Sequence, residues 1–356
     1  MIRVLHFLSD SNIGGAGITL YRLLSSSDRD RFDFAVVLPE NSETKQLFEG
    51  LGIPVYEYGS SSDRSFSIVS IFEFFSIIRD FSPHIVHTHG SISARISAYL
   101  SGVRSRVYSR HTSRCVKPSV LLKLLNRKIT TRAVYVNECM KEQMECSGVG
   151  DIAELIVNGC ESFYTAKKVQ HLPPRYLYYG RIVRSKGVFL ILDALNKLSE
   201  IGMDYSLRIV GDGHDYESLV EYSKKLKLSD KVKFESYNND VRTLLSECDV
   251  LLLPSLENEG TSNSLIEAMS AGVPCVVSSA DGNIHTVTHK KDGVVFEKGD
   301  ASSFAQAILF LNDEHTYRNI SEQAIKTYRE RFTIDVFSRK YADLWEEEYK
   351  RYYEKQ

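Results

Sequence analysis

The chain of 356 residues is longer than one hydrophobic core usually supports, so we expect two domains. Its formal net charge of −2 gives no global attraction to nucleic acid, and six scattered cysteines without a CxxC pair suit a reducing compartment. No run approaches the roughly 18 apolar residues of a membrane span, and Met1–Leu8 is too short for a signal peptide, so we expect a cytoplasmic protein.

Strand and helix patterns alternate through the first half of the chain. The strands are predicted at Arg3–Leu8, Phe34–Leu38 and Ile85–Thr88, and the helices after Ile18 and over 45–51 and 68–79. Alternation on this scale predicts a parallel sheet with helical crossovers.

A break in this alternation separates two halves. The segment 170–175, QHLPPR, carries two adjacent prolines, which interrupt regular structure. We therefore predict a first domain over residues 1–169 and a second over 170–333, with a last helical segment over 334–356. Strand patterns resume in the second half at Leu177–Tyr179, Leu207–Val210, Val232–Glu235, Val250–Leu253 and Cys275–Ser278.

The most informative segment is Asp249–Val277, DVLLLPSLENEGTSNSLIEAMSAGVPCVV. Its start is typical of a buried strand that ends at Pro254, and a polar loop follows. We predict a helix over Asn263–Ser270, with Ser262 as its N-cap and Gly272 as its stop signal.

The start of this helix is a candidate anion site. Unpaired amide N–H groups point outward where a helix begins at the carboxyl edge of a parallel sheet. We therefore expect the amides of four consecutive residues to hold a diphosphate: Gly260, Thr261, Ser262 and Asn263. The flanking Glu259 and Glu267 would repel phosphate and instead need hydroxyl donors, which sugars supply. A ligand with a sugar on each side of a diphosphate is a nucleotide sugar.

Glu259 and Glu267 are separated by seven residues, and the surrounding PSLENEGTSNSLIEAMSAGVPCVV strongly resembles retaining family 4 glycosyltransferases. The resemblance implies the GT-B fold, an α/β architecture of two Rossmann-like, doubly wound domains facing a cleft. It also implies that the first domain receives the acceptor, that the second holds the donor, and that the C-terminal helix crosses back to the first domain. By resemblance Glu259 faces the transferred sugar and Glu267 the ribose hydroxyls. The alternative is an ordinary strand-loop-helix unit with surface carboxylates.

Two cations follow the first strand of the second half. Arg181 and Lys186, in YGRIVRSKG, lie in a loop near a helix start, where a guanidinium and an ammonium can neutralise a leaving diphosphate. The family carries an Arg and a Lys with this role. Solvated surface charge is the alternative, and Arg184 between them has no role implied by the family.

Two further candidates lie in the first half. The segment SNIGGAG follows the first strand, and its glycines allow a ligand to approach the backbone. By resemblance Gly15 lies near the donor phosphate or the acceptor, whereas a plain tight turn is the alternative. His111 follows a strand, and family members carry a His near the transferred sugar, although lone histidines are more often structural.

We expect no metal and no other cofactor. Asp28 and Asp30 form a DxD pattern, but they lie in a charged turn far from the donor motifs. His87 and His89 share one face of a strand, and without a third ligand we interpret them as packing residues.

The segment 81–137 contains no Asp or Glu and ten Lys or Arg. Within it, residues 119–132 mix leucines with cations, a composition that suits a peripheral helix on anionic lipid at the inner face of the cell membrane. The alternative is a solvated basic face over an ordinary core stripe.

The resemblance implies a hexosyltransferase that acts with retention, and the position of the DxD pattern away from the donor motifs predicts that it needs no metal. It would move sugar from a nucleotide-sugar donor to a glycan or lipid-linked saccharide acceptor, in bacterial surface polysaccharide synthesis. A nucleotide-sugar epimerase of the same fold, or a non-catalytic sugar-nucleotide-binding protein, is the alternative.

Overall fold

The computed structural model describes residues 1–9, 11, 14–59, 65–111, 118–166, 168–238, 240–257 and 260–354. Contacts divide the chain into two compact units. The first comprises Met1–Gly159 with Ile334–Gln356, and the second comprises Cys160–Thr333.

The first unit is built on a parallel sheet. Its strands are β1 (Ile2–Leu8), β2 (Phe32–Pro39), β3 (Val55–Tyr58), β4 (Ile85–His89), β5 (Ser105–Arg110), β6 (Arg132–Tyr135) and β7 (Ala153–Leu155). Its helices within the first 159 residues are α1 (Gly15–Ser26), α2 (Lys45–Gly50), α3 (Ile68–Phe81), α4 (Ile92–Leu100), α5 (Val120–Ile129) and α6 (Lys141–Cys146). In the described part, the strands lie in the order β3-β2-β1-β4-β5-β6-β7 and all pairs are parallel.

The second unit repeats this architecture. Its strands are β8 (Arg175–Tyr179), β9 (Ser206–Val210), β10 (Val232–Glu235), β11 (Val250–Leu253), β12 (Cys275–Ser278) and β13 (Val294–Phe296). Its helices are α7 (Val188–Glu200), α8 (Tyr216–Lys225), α9 (Val241–Glu247), α10 (Asn263–Ala271), α11 (Asp281–Ile284), α12 (Ala301–Phe310) and α13 (Glu314–Arg331). The described strands lie in the order β10-β9-β8-β11-β12-β13, again all parallel. Two doubly wound Rossmann-like units are thus present, as the sequence predicts.

The last helix, α14 (Ile334–Tyr349), belongs to the first unit. Its Trp345 is fully buried, and the indole lies 5.3 Å from the ring centres of both Phe32 and Phe34. Removing a core aromatic of this size typically costs about 3–5 kcal/mol. The helix is therefore an integral part of the first unit's core, as the family resemblance implies.

Contacts place the division between Gly159 and Cys160, ten residues before the boundary predicted from the sequence. Residues 160–169 belong to the second unit, since the Cys160 N–H donates to Phe332 O at 3.0 Å and the Phe163 N–H donates to Ser270 Oγ at 3.0 Å. The prolines of 170–175 instead precede β8, where buried Asp249 accepts a hydrogen bond from the Arg175 N–H at 2.7 Å.

Candidate active site

The second sheet has a switch point between β8 and β11. These strands are parallel neighbours, β9 and β10 lie on one side of them, and β12 and β13 lie on the other. Open α/β sheets bind ligands at such points, outside the carboxyl ends of the strands. The loop after β8 carries Arg181 and Lys186, and the segment after β11 leads to α10 and Glu267.

Glycines position the loop after β8. The Ile182 N–H donates to Asp212 O at 2.8 Å, so this loop pairs with the VGDGH turn that follows β9. A Cβ at Gly213 would lie 2.1 Å from Ile182 O, which leaves no room for a side chain. Gly187, with a φ of +72°, ends the loop, and a Cβ there would lie 2.0 Å from Pro254 O. The loop can therefore approach both neighbouring segments only because these positions lack side chains.

The cations of this loop have different environments. Arg181 is exposed, and its guanidinium has no hydrogen-bond or ion-pair partner among the residues that the structure describes. Arg184 is also exposed, but its Nε lies 3.7 Å from Asp215 Oδ1 and its guanidinium carbon 4.7 Å from the Phe189 ring centre. Lys186 is partly buried just before α7. Arg181 is thus available to a ligand, whereas Arg184 already has protein partners.

Glu267 is a nearly buried carboxylate in α10, with 4% of its surface exposed. The Tyr179 phenol, at the end of β8, donates to Glu267 Oε2 at 2.5 Å. Burial and the adjacent Glu267 carboxylate raise the pKa of Tyr179 well above its usual range, so the phenol remains a donor. Sequence reasoning missed a role for Tyr179, although its place at a strand end, as the first residue of YGRIVRSKG, was an available signal.

The start of α10 follows the predicted pattern with one difference. Ser262 precedes the helix in an extended conformation and accepts a hydrogen bond from the Ile266 N–H at 3.3 Å, as an N-cap does. Its hydroxyl, however, bonds Ser264 Oγ at 2.9 Å and does not cap the helix. The amides at the helix start are therefore not occupied by the Ser262 side chain. Nearby Thr261 is buried, and Gly260 is partly buried.

The predicted role of Glu259 stays a prediction, because Glu259 lies outside the described residues. The other candidates after β11 lie in one short segment, from Gly260 to Asn263, that leads directly into the helix carrying Glu267.

The first unit contains Gly15 and His111. Gly15 is exposed as the first residue of α1, directly after the segment that follows β1. His111 comes one residue after β5 and is half-buried. Burial lowers the pKa of His111 to about 4, so its imidazole is neutral near pH 7.

His111 is part of a cluster of histidines that the sequence analysis only partly identified. His89 Nδ1 lies 2.8 Å from His111 Nε2, and His89 Nε2 lies 3.2 Å from His6 Nδ1. Buried His6 also lies beside His87 and His89, and one nitrogen of each ring lies within 4.8 Å of the other two. His6 is thus a third imidazole next to the pair on β4, which the sequence pattern did not indicate. Because β1 and β4 are neighbours, His6 stands opposite His87 in the sheet.

The turn that contains the DxD pattern is a surface feature. Asp28 and Asp30 are exposed, and the Asp28 carboxylate accepts a hydrogen bond from the Asp30 N–H at 2.9 Å. The interpretation of this pattern as solvated surface is confirmed.

The basic segment 81–137 is only partly a cationic surface. Arg95 is buried and donates to Thr130 Oγ1 at 2.9 Å, and Arg132 donates to Glu154 at 2.8 Å. On α5 the exposed face is apolar at its start and basic at its end, with Val120, Leu121, Leu124, Arg127 and Lys128 exposed. Arg114 and Lys117 lie outside the described residues. No helix in the described ranges is long and apolar enough to cross a bilayer.

Two family models match consecutive parts of the chain. "Glycosyltransferase Family 4" matches residues 13–161, and "Glycosyl transferases group 1" matches residues 165–327. Together the two matched ranges include the site residues predicted from the sequence, from Gly15 to Glu267.

Relatives and solved structures agree with these matches. A UDP-Gal:alpha-D-GlcNAc-diphosphoundecaprenol alpha-1,3-galactosyltransferase of Escherichia coli is 27% identical over an alignment of 381 positions, gaps included, that covers 94% of this chain and 97% of that protein. The lipopolysaccharide core biosynthesis glycosyltransferase LpsD of Rhizobium meliloti is 31% identical over 168 residues, 47% of this chain and 48% of that one. The crystal structure of Anabaena Alr3699/HepE in complex with UDP and glucose is 19% identical, covers 98% of this chain and 100% of that one, and superposes with a TM-score of 0.83. The chain therefore belongs to the family 4, or group 1, glycosyltransferases and has the GT-B fold.

Proposed function

We propose that this glycosyltransferase moves a hexosyl group from a nucleotide-sugar donor to a lipid-linked saccharide, with retention of anomeric configuration. The observation that carries the proposal is the Tyr179–Glu267 pair at the switch point of the second unit, between the loop of Arg181 and the start of α10. A buried carboxylate is costly unless it is hydrogen-bonded, and Glu267 is nearly buried, so we infer that ribose hydroxyls of the donor supply further hydrogen bonds to it.

The cations and the helix start suit the leaving group. During transfer, negative charge grows on the departing nucleoside diphosphate, and preorganised donors stabilise such charge. Arg181 has no partner among the described residues and would form a bidentate contact with a phosphate. Lys186 and the amides at the start of α10 would complete this neutralisation.

We infer a front-face mechanism for the chemical step. The bond between the anomeric carbon and the leaving phosphate oxygen breaks, and the acceptor oxygen bonds to that carbon on the same face. The acceptor's hydroxyl proton passes to the leaving phosphate. Double displacement needs a carboxylate nucleophile, and we assign Glu259 to orientation of the sugar instead. His111 and Gly15 would contact the sugar or the acceptor.

The acceptor class is inferred from the relatives. The Escherichia coli relative is named for a diphosphoundecaprenol-linked sugar, and LpsD for lipopolysaccharide core biosynthesis. We therefore infer a role in bacterial surface polysaccharide synthesis, at the inner face of the cell membrane.

Exposed apolar side chains support a peripheral contact with anionic lipid. On α3, Ile68, Val69 and Phe72 are 60–73% exposed, and on α5, Leu121 and Leu124 are 64–78% exposed. Helix α4 contacts both α3 and α5. Apolar residues that insert beneath headgroups, next to cations such as Arg127 and Lys128, form the pattern of an interfacial helix.

We also propose that transfer needs no metal ion. In the described residues, the DxD pattern is solvated and distant in sequence from the donor loops, and the cations of the donor site can take the place of a metal clamp. A chelator should leave transfer intact once product nucleotide is removed. Complete loss of activity, restored by Mn²⁺ or Mg²⁺, would refute this part of the proposal.

The decisive experiment is a donor screen followed by an acceptor assay. UDP-, GDP- and ADP-sugars are incubated with the protein, and slow release of nucleoside diphosphate identifies the donor. A diphosphate-linked lipid saccharide is then added, and we expect faster release together with a lengthened glycan. Conversion of the donor to another nucleotide sugar without acceptor would indicate an epimerase. Donor binding without release, with any acceptor, would indicate a non-catalytic binding protein.

A further inference from the structure

Three imidazoles form a continuous hydrogen-bonded chain in the first unit. The chain runs from His6 on β1 through His89 at the end of β4 to His111 just after β5. The two links are His6 Nδ1 to His89 Nε2 at 3.2 Å and His89 Nδ1 to His111 Nε2 at 2.8 Å. The chain crosses the switch point between β1 and β4 and ends at a half-buried candidate site residue.

Each ring in this chain is neutral near pH 7. Burial lowers the pKa of His6 and His89 well below the usual range, and that of His111 to about 4. A neutral imidazole has one N–H donor and one lone pair. Since both nitrogens of His89 are used within the chain, the position of one proton decides the tautomers of all three rings.

The buried end of the chain decides its direction. His6 Nε2 is buried without a hydrogen-bond partner in the described structure. If the bonds pointed toward His6, this nitrogen would carry an N–H with no acceptor, and orphaned buried N–H groups are rare. If the bonds point away from His6, its Nε2 carries a lone pair and no N–H, so no buried donor is left without an acceptor. His6 Nδ1–H then donates to His89, and His89 Nδ1–H donates to His111 Nε2.

We propose that His6 and His89 are positioning residues that hold His111 as the Nδ1–H tautomer. This inference deepens the proposed function and rests on it: His111 would donate its Nδ1–H to a hydroxyl or phosphate oxygen of the nucleotide sugar. Because its Nε2 lone pair accepts the bond from His89, His111 does not act as a general base. The acceptor's proton must then leave by another route, which agrees with transfer to the departing phosphate.

The adjacent His87 lies outside the chain. The Trp345 Nε1–H donates to His87 Nδ1 at 3.3 Å, so neutral His87 holds its proton on Nε2, which donates to Ser109 Oγ at 2.8 Å. A metal bound by His6, His87 and His89 would have to displace these bonds. His87 therefore serves as an internal control, because it carries its proton on Nε2 whereas the three rings of the chain carry theirs on Nδ1.

The first test is a long-range ¹H–¹⁵N correlation spectrum of the full, ligand-free protein with ¹⁵N-labelled histidine. Single variants of His6, His87, His89 and His111 assign the signals. We expect Nδ1–H for His6, His89 and His111, and Nε2–H for His87. An Nε2–H proton on His111 would overturn the proposal. This result does not depend on turnover, so it stands apart from any failure to find a donor.

The second test compares variants of His89 and His87. His89→Phe removes the donor to His111, so we expect loss of the fixed Nδ1–H signal and at least a tenfold fall in turnover, about 1.4 kcal/mol. His89→Gln, whose amide can donate in place of the imidazole, should restore part of both. His87→Phe should change neither. If His89→Phe retains the His111 signal and the wild-type rate, the proposal is wrong, and if this variant does not fold, the wild-type spectrum decides.

Discussion

Tyr179 and Glu267 connect a strand and a helix of the second unit through a bond of 2.5 Å between the phenol oxygen and Oε2. Tyr179 ends β8, and Glu267 lies within α10, which follows β11. The bond sets the orientation of a nearly buried carboxylate before any ligand arrives. A carboxylate oriented in advance loses less conformational entropy when it binds a sugar.

The Tyr179→Phe variant tests this orientation. Loss of one charge-assisted hydrogen bond should weaken binding of the donor nucleotide sugar about tenfold, or ~1.4 kcal/mol, as measured by isothermal titration calorimetry. Tyr317→Phe is the matched control, because the buried Tyr317 phenol donates to Asp249 O at 3.1 Å, at the other end of β11. Equal effects of both variants on donor affinity would contradict a specific role for Tyr179.

The two glutamates should differ in kinetic effect. Glu267→Ala should mainly raise KM, since ribose contacts exist before and during the reaction. Glu259→Ala should mainly lower kcat, since contacts with the transferred sugar tighten in the transition state. Initial-rate measurements over a range of donor concentrations separate the two. Near wild-type kinetics for both variants would show that the assigned site is wrong.

Arg181 and Arg184 offer a matched pair on one loop. Arg181→Ala should lower kcat/KM at least tenfold, about 1.4 kcal/mol or more, because its guanidinium has no partner in the described structure and is free to bind phosphate. Arg184→Ala removes an exposed side chain that lies against Asp215 and Phe189. The kcat/KM of this variant should remain close to that of the wild type. A larger loss for Arg184→Ala would reverse the assignment.

Gly187 should tolerate no side chain. Gly187→Ala places a Cβ 2.0 Å from Pro254 O at a φ of +72°, whereas Gly202→Ala has a similar φ of +80° with open space around its Cβ. Backbone strain alone should cost Gly202→Ala about 1–2 kcal/mol of unfolding free energy. Gly187→Ala should cost more, because the loop after β8 must also move. Denaturant unfolding monitored by circular dichroism measures the difference, and equal losses would show that the close approach to Pro254 is unimportant.

The face of α5 should bind anionic vesicles. Leu121→Ser with Leu124→Ser, or Arg127→Glu with Lys128→Glu, should reduce co-sedimentation with vesicles that contain anionic lipid. Each cation near such a surface contributes on the order of 1 kcal/mol, and high salt should weaken it. Ile201→Ser, which changes an equally exposed apolar residue of the second unit, is the control. Binding that is equal for neutral and anionic vesicles, or absent for both, would exclude the charge-dependent contact.

Much of the fold could be predicted from local patterns. The apolar runs of β2 and β11 are almost entirely buried, as continuous hydrophobic strands in parallel sheets are. Four strands were not predicted, namely β3, β6, β7 and β13, and each has only three or four residues in which a pattern can show. The division by contacts lies ten residues before the predicted boundary, since prolines mark a break in regular structure but do not show which core the flanking residues join.

The sequence by itself determined the family, the segments proposed to bind the donor and the separation of Glu259 from Glu267, because these depend on residues close together along the chain. Only the tertiary structure decided which side chains become partners across strands. Tyr179 meets Glu267 and His6 meets His89 because neighbouring parallel strands bring together residues more than eighty positions apart. The same packing gives Arg184 protein partners and leaves Arg181 without one in the described structure. Which side chains contact each other depends on the order of the strands in the sheet, and no local sequence pattern encodes that order.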